Sequence, residues 1–101
     1  MHPQIPQLTP AQAADRTEAV LLDVREASEL AEGRIAGSTH IPLGQLPARA
    51  AELDRNRPVI TVCRSGARSF QAAQFLAAQG YDAASLDGGM TRWTAEGRPT
   101  V

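Results

Sequence analysis

The sequence predicts an α/β domain built on a mainly parallel central sheet with helices packed against it. Short apolar, β-rich runs alternate along the chain with segments of helical pattern, which is the order expected of this class. The apolar runs are continuous rather than alternating, as in strands that are buried on both faces. The 101 residues are enough for one compact domain, residues 1–101, whose core needs no disulfide or structural metal.

The first half of the chain contains two predicted strands and three predicted helices. Residues 1–8 form an extended lead-in, after which Thr9 is placed to cap a short helix over residues 11–15 that Pro10 opens. The elements that follow are a strand over 19–24, a short helix over 26–32, a brief strand over 38–41 and a helix over 46–53.

The second half begins with residues 59–62, an apolar run that predicts a buried strand. The longest helical pattern follows over residues 67–79, with apolar residues at helical spacing and a glycine at its end. Residues 83–86 predict the last strand. Gly88-Gly89 then turns the chain into a short helix, from which we expect Met90 and Trp93 to pack on the sheet.

Composition excludes several classes of protein. Ten basic residues nearly balance eleven acidic ones, for a net charge of -1, which gives no reason to expect a nucleic-acid partner or attraction to a membrane. The single cysteine forms no internal disulfide, no apolar run approaches the roughly 20 residues of a membrane span, and the first ten residues lack the pattern of a secretory signal. We therefore expect a cytoplasmic protein, a monomer or weak dimer; the sequence also fits one module of a longer protein.

The most informative stretch is Cys63-Arg64-Ser65-Gly66-Ala67-Arg68-Ser69, which joins a predicted strand to the longest predicted helix. A loop that runs into a helix start presents unpaired backbone amides, and Gly66 allows the dihedral angles that turn several of them inward. The helix dipole, Arg64 and Arg68 add positive potential. We expect the sulfur of Cys63 to lie at the mouth of a ring of inward-facing amides, with its thiolate favoured over its thiol.

The alternative for Cys63 is an inert core residue, because free cysteine is among the most buried residue types. Its place at a strand end, the glycine loop and the two arginines favour a reactive residue instead. The carboxyl ends of neighbouring parallel strands meet at one edge of a sheet, where sites form. Asp23 and Arg25 follow one such strand end, and Asp87 to Gly89 follow another.

The roles of these neighbours stay open from the residues alone. Asp23 ends an apolar strand, so its carboxylate needs hydrogen-bond partners. It either braces the cysteine loop or Arg68, or caps the helix that follows. Arg25 and Glu29 are four residues apart and fit a pair on a helix surface. The Gly88-Gly89 pair either lets backbone approach the cysteine loop or forms a plain turn.

Four segments resemble the rhodanese-homology superfamily of sulfurtransferases, in the order and spacing of a single-domain rhodanese. They are LLDVREASEL at 21–30, GRIAGSTHIPL at 33–43, VITVCRSGARS at 59–69 and LDGGMTRW at 86–93. The resemblance covers nearly the whole chain, and CRSGARS is its most specific part. It implies a three-layer rhodanese-like domain, in which a mainly parallel sheet of about five short strands is flanked by helices.

The resemblance also implies a reaction. Cys63 would attack the outer sulfur of a donor such as thiosulfate and carry that sulfur as a persulfide to a thiophilic acceptor. Exchange between soft sulfur nucleophiles needs no general base, and the loop arginines would attract the anionic donor and stabilise departing sulfite. The substrate-binding residues so implied are Arg64, Ser65, Gly66, Ala67, Arg68 and Ser69. Asp23 and Arg25 have supporting roles, with Arg25 in a structural ion pair near the site, and no cofactor is implied.

Several residues bear on rival sites. The superfamily also contains phosphatases, in which five residues separate the loop cysteine from the loop arginine. Here four residues separate Cys63 from Arg68. The resemblance implies that this shorter loop fits a sulfur atom rather than a tetrahedral phosphate. Arg34 and His40 stand where the family often has histidine and asparagine, and we expect His40 to be a packing or surface residue. One cysteine and scattered histidines, with a disordered His2, do not predict a metal site.

Two further functions stay open beside the enzyme. A sulfur-carrier module would take sulfur from a protein such as a cysteine desulfurase and pass it to a protein partner. A regulatory domain would only bind anions at the loop, and an intact cysteine argues against it. The enzyme and the carrier use the same loop, so the sequence does not separate them.

Overall fold

The computed structural model describes residues 4–101; the start of the lead-in, including His2, lies outside them. Its five strands are β1 (Gln7–Leu8), β2 (Val20–Asp23), β3 (Thr39–His40), β4 (Val59–Val62) and β5 (Ala83–Leu86). They form one sheet in the order β1-β5-β4-β2-β3, and every pairing is parallel. The predicted α/β class and the short-stranded parallel sheet are confirmed.

The lead-in contributes more than an extended approach, because its end joins the sheet as the edge strand β1. The backbone carbonyls of Pro6 and Leu8 accept hydrogen bonds from Ser85 and Asp87 at 2.9 and 2.8 Å. Local sequence gave no strand signal here, since the hydrogen-bonding partner lies more than 75 residues away along the chain.

The helices are α1 (Pro10–Asp15), α2 (Leu46–Arg49), α3 (Ala67–Ala78) and α4 (Gly89–Ala95). The Thr9 hydroxyl accepts from the Gln12 amide at 3.2 Å, as predicted for a cap. The predicted helix over 26–32 is instead a 3₁₀ helix, Ala27–Glu32, that buries no residue and so lacks an apolar stripe to hold it as an α-helix. A second 3₁₀ turn, Leu43–Gln45, leads into α2, and the predicted helix over 46–53 is α2 followed by a third, Ala50–Glu52.

The core has two halves, one on each face of the sheet. On one face, Leu46 of α2 and Leu76 of α3 pack with sheet residues such as Leu22 and Val59. On the other, α1 and α4 pack on residues such as Ile60 and Leu86, and both Met90 and Trp93 lie in this half as predicted. The domain therefore has three layers, with β4 buried along its whole length. None of the helices among residues 4–101 has the length and apolar character needed to cross a membrane.

Candidate active site

Cys63 follows β4 directly, at the edge of the sheet where the parallel strands end. The chain then crosses Arg64, Ser65 and Gly66 and enters α3 at Ala67. Gly66 adopts a φ of 115°, a region that residues with a Cβ rarely occupy, and it is the residue that caps α3. The predicted strand–loop–helix arrangement is therefore present, and the glycine is what allows so short a connection.

The sulfur of Cys63 has donors on the loop side. The Gly66 amide donates to Sγ at 3.0 Å, and the Ser69 hydroxyl oxygen lies 3.4 Å from Sγ. Burial alone would raise the pKa of the Cys63 thiol, but hydrogen bonds from the Ser69 side chain and from the backbone amides of Ser69, Gly66 and Ser65 together lower that pKa below its usual value. The contacts thus favour the thiolate, which is the nucleophilic form.

The sulfur is more enclosed than the sequence suggested. Cys63 is only 1% exposed, so Sγ lies beneath the loop rather than at an open mouth. A cleft of about 120 Å³ opens beside the loop, lined in part by Arg25, Arg64 and Thr91, and Cys63 does not line it. The predicted amides do point at the sulfur, but Sγ lies inside their ring rather than at its mouth, because α3 and the loop close over the strand end.

The start of α4 holds the outer side of the cysteine loop. The Met90 amide donates to the Cys63 carbonyl at 2.8 Å, and the Thr91 amide donates to the Arg64 carbonyl at 2.9 Å. These bonds engage the loop carbonyls away from the sulfur. A Cβ on Gly89 would lie 2.5 Å from the Cys63 carbonyl oxygen, so only glycine permits the approach. Gly88-Gly89 was predicted either to let backbone approach the cysteine loop or to form a plain turn, and the structure shows the close approach, at Gly89.

The loop arginines are ion-paired rather than free. Arg68 donates from both terminal nitrogens to the Glu29 carboxylate, at 2.6 and 2.8 Å. Arg64 donates to Glu32 at 2.9 Å and also contacts Glu29. The hydrogen bond from Arg68 is the main cause that lowers the pKa of Glu29 from 4.5 to about 2. Two arginines and two glutamates balance, so the expected local excess of positive charge is absent from these side chains.

Sequence reasoning placed Glu29 with Arg25 and gave Glu32 no role. The pairing of Glu29 with Arg68 was not predicted, because these residues are 39 apart in the chain and only the tertiary fold brings them together. Two carboxylates at 29 and 32 lie three residues apart, on one side of a helical turn, and two arginines at 64 and 68 lie four residues apart. That pairing of patterns was the available signal.

Asp23 and Arg25 bind each other and not Arg68. The Asp23 carboxylate accepts from Nη2 of Arg25 at 2.8 Å, from Nε at 3.0 Å and from the Arg25 backbone amide at 3.0 Å. Both side chains are buried. Arg25 also donates to the carbonyls of Glu29 and Gly33, at 3.3 and 2.9 Å. The pair therefore fastens the 3₁₀ helix that carries Glu29, and bracing of Arg68 by Asp23 is not observed.

Behind the loop lies a buried polar contact that the sequence did not indicate. The hydroxyl oxygens of Ser69 and Ser85 are 2.8 Å apart, and both residues are fully buried. Thr61 lies beside them and donates to the Ser69 carbonyl at 2.6 Å. A serine in β5, among alanine and leucine, was the only signal for this group.

The remaining candidates lie off the sulfur. Arg34 donates to the Ser38 carbonyl at 2.6 Å, and Nε2 of His40 lies 2.7 Å from the Arg25 carbonyl, which fits the expected packing role. The side chains of Ser65 in the loop and of Ala67 at the start of α3 are exposed. Across residues 4–101, no three side chains of His, Cys, Asp or Glu come together in a group that could hold a metal ion.

Comparison with known proteins agrees with this geometry. The family profile described as a rhodanese-like domain matches residues 9–96. A protein of Allochromatium vinosum named sulfurtransferase is 39% identical over 89 residues, which cover 87% of this chain and 83% of the relative. A protein of Stutzerimonas stutzeri named thiosulfate sulfurtransferase GlpE is 38% identical over 84 residues, covering 82% of this chain and 77% of the relative.

The fold comparison points the same way. The crystal structure of a rhodanese-related protein from Thermoplasma volcanium superposes with a TM-score of 0.92 at 33% identity, covering 95% of this chain and 97% of that one. The matched range of the family profile, residues 9–96, contains Cys63 and the whole CRSGARS loop, and the superposition covers nearly the whole five-stranded sheet. The chain belongs to the rhodanese-like family, whose relatives include proteins named sulfurtransferases.

Proposed function

We propose that the protein is a sulfurtransferase that moves the outer sulfur of thiosulfate, or of a similar donor, to a thiophilic acceptor through a persulfide on Cys63. The observation that carries this proposal is the set of hydrogen bonds on Sγ, led by the Gly66 amide at 3.0 Å, which stabilise a thiolate at the end of β4. Membership of the rhodanese-like family and the name of the relative called thiosulfate sulfurtransferase support the choice of donor.

The first half-reaction balances without an added base or oxidant. The Cys63 thiolate attacks the outer sulfur of thiosulfate, a new S–S bond forms on the protein, and the S–S bond of the donor breaks with its electron pair leaving on sulfite. In the second half, cyanide attacks the terminal sulfur of the persulfide, and thiocyanate leaves while the electron pair of the broken bond restores the thiolate.

Each loop residue has a role in this scheme. Backbone amides of Ser65, Gly66, Ala67, Arg68 and Ser69 hold the negative terminal sulfur of the persulfide. Arg64 and Arg68 meet the anionic donor and the departing sulfite. Because Sγ is almost wholly covered and both arginines are paired with glutamates, the donor gains access when these side chains exchange glutamate for donor oxygens.

The proposed compartment is the cytoplasm, where a thiol stays reduced and a single catalytic cysteine can work. The enzyme would act there on small donors, as a monomer or weak dimer. The alternative is a carrier that passes sulfur between protein partners with the same residue.

Thiocyanate formation from thiosulfate and cyanide tests the proposal. We expect steady turnover by the native chain and none above background by Cys63→Ala, with equal thermal unfolding of the two proteins as the control. Turnover that survives in Cys63→Ala would rule out the proposed nucleophile.

A second donor separates the enzyme from the carrier. A cysteine desulfurase loaded with persulfide is offered in place of thiosulfate. If only the desulfurase transfers sulfur to Cys63, the carrier replaces the enzyme; the proposal predicts transfer from thiosulfate. Release of phosphate from an aryl phosphate above background would instead indicate the phosphatase chemistry of the superfamily.

A further inference from the structure

Ser85 lies behind the cysteine loop, in β5, where the proposed reaction does not place any residue. Its hydroxyl oxygen is 2.8 Å from the Ser69 hydroxyl oxygen, which in turn is 3.4 Å from Sγ of Cys63. All three residues are buried, with Ser69 and Ser85 fully so. The three atoms form a buried chain that runs from the strand to the sulfur.

The direction of the hydrogen bonds in this chain follows from counting protons. Among residues 4–101, the Ser69 hydroxyl is the one hydrogen-bond partner of the Ser85 hydroxyl. If Ser69 donated to Ser85, the proton of Ser85 would point at no acceptor inside a buried site, which is costly. Ser85 is therefore the donor, and one lone pair of the Ser69 oxygen is occupied.

In the thiol form, Ser69 donates its proton to the Gly66 carbonyl at 3.1 Å and its oxygen accepts from Sγ at 3.4 Å; when Cys63 is ionised, the Ser69 proton can turn to Sγ instead. The Gly66 carbonyl also accepts from the Phe70 amide at 3.0 Å, so it keeps a partner when the Ser69 proton turns to the sulfur. A thiolate needs that proton, whereas a thiol would donate its own proton to the Ser69 oxygen. Rotation of one hydroxyl group thus follows the charge on Cys63.

We propose that Ser85 is a positioning residue for the nucleophile: by donating to the Ser69 oxygen, it occupies one of the two lone pairs there, leaves the Ser69 proton available to Sγ, and favours the thiolate. Without Ser85, both lone pairs of Ser69 are open to the S–H proton, which favours the thiol. A donor hydrogen-bonded from behind is also a stronger donor, since hydrogen bonds in a chain polarise one another. The inference rests on the proposed function of Cys63 as the sulfur-carrying nucleophile.

The other charged groups near the sulfur are the same in the variants that test this. They are Arg68 on α3 and Arg64 on the loop, which pair with Glu29 and Glu32 of the 3₁₀ helix, and the Asp23–Arg25 pair at the end of β2, while α4 supplies backbone amides. None of them contacts Ser85.

The test is a pH titration of the thiolate by its ultraviolet absorbance in the full chain, with Cys63→Ala as the blank. The chain has one cysteine, so the signal belongs to Cys63. In Ser85→Ala we expect the titration midpoint to rise by roughly half a pH unit, which lowers the thiolate fraction below the midpoint about threefold. Ser85→Thr, which keeps the hydroxyl, should restore the native midpoint.

Thr61→Val is the matched control, because Thr61 is an equally buried hydroxyl that donates to the carbonyl of Ser69 and not to its hydroxyl. The proposal predicts an unshifted midpoint in Thr61→Val and a shifted one in Ser85→Ala. An unshifted midpoint in Ser85→Ala, or an equal shift in Thr61→Val, would overturn it. The titration needs no sulfur donor, so a shift in Ser85→Ala in a chain that takes no sulfur from thiosulfate would count against the proposed function alone.

Discussion

Two ion pairs lie close to the cysteine loop, and they differ in how far water reaches them. The side chains of Asp23 and Arg25 are 1% and 3% exposed, whereas those of Glu29 and Arg68 are 14% and 34% exposed. A buried pair is strongly destabilising to break, because the remaining charge has no partner and no water. A pair that water reaches contributes little to folding and is screened by salt. The first pair thus serves the scaffold, and the second is free to exchange partners with an anionic donor.

The largest effect should come from breaking the buried pair. Arg25→Met leaves the Asp23 carboxylate buried and releases the carbonyls of Glu29 and Gly33, so we expect a loss of about 3–5 kcal/mol in the free energy of unfolding, measured in urea. Arg49→Met, which breaks an exposed pair with Glu52, is the control and should change stability little. Equal losses in the two variants would contradict the distinction between buried and exposed pairs.

The approach of α4 to the outer side of the cysteine loop should give the next largest effect. Gly89→Ala places a Cβ 2.5 Å from the Cys63 carbonyl oxygen and should reduce the free energy of unfolding by about 1–3 kcal/mol more than Gly97→Ala. Gly97 also has a positive φ, of 74°, but nothing lies within 4 Å of its added Cβ, so it isolates the backbone cost. Matching unfolding curves for the two variants would show that the approach of α4 does not shape the loop.

Substitutions in the Glu29–Arg68 pair and its neighbour Arg64 should change the apparent KM for the donor rather than the free energy of unfolding. Glu29→Gln removes the carboxylate that competes for Arg68 and Arg64, so the apparent KM for thiosulfate should fall by roughly threefold at low salt, with the difference shrinking as salt is added. Arg64→Ala should raise the KM by a similar factor. A higher KM in Glu29→Gln would mean that the carboxylate positions the arginines instead of competing with the donor.

The smallest expected effect is a loss of the stability contributed by Glu29 as the pH falls. A carboxylate whose pKa is lowered on folding adds stability that is fully present above its unfolded pKa and is lost as pH falls towards its folded pKa. For Glu29 that window runs from 4.5 down to about 2. The stability difference between the native chain and Glu29→Gln should therefore be constant above this window and vanish within it. A difference that persists at the acid end would argue against the lowered pKa.

The fold and the site were predictable from the sequence to different degrees, for physical reasons. The strands β4 and β5 have the predicted bounds, because a continuous apolar run between turn residues is a local signal. The loop was located from Cys63 and Gly66, since their place between strand and helix is also local. The partner of Arg68, Glu29, was not predicted, because it lies 39 residues away along the chain.

The degree to which the sulfur of Cys63 is buried was also not predicted from the sequence. The residues of the loop show that amides converge on Cys63, but how closely α3 and α4 cover it depends on tertiary packing, as in the contact that Gly89 permits. The same holds for Ser85, whose partner Ser69 lies 16 residues before it. Sequence patterns placed the elements, while contacts between distant segments set the exposure and charge of the site.

The most direct test of the central claim is the intact mass of the chain after treatment with thiosulfate and removal of excess reagent without a reductant. We predict a gain of one sulfur atom that cyanide removes and that Cys63→Ala does not acquire. No gain in the native chain, or the same gain in Cys63→Ala, would contradict the claim that Cys63 carries the transferred sulfur.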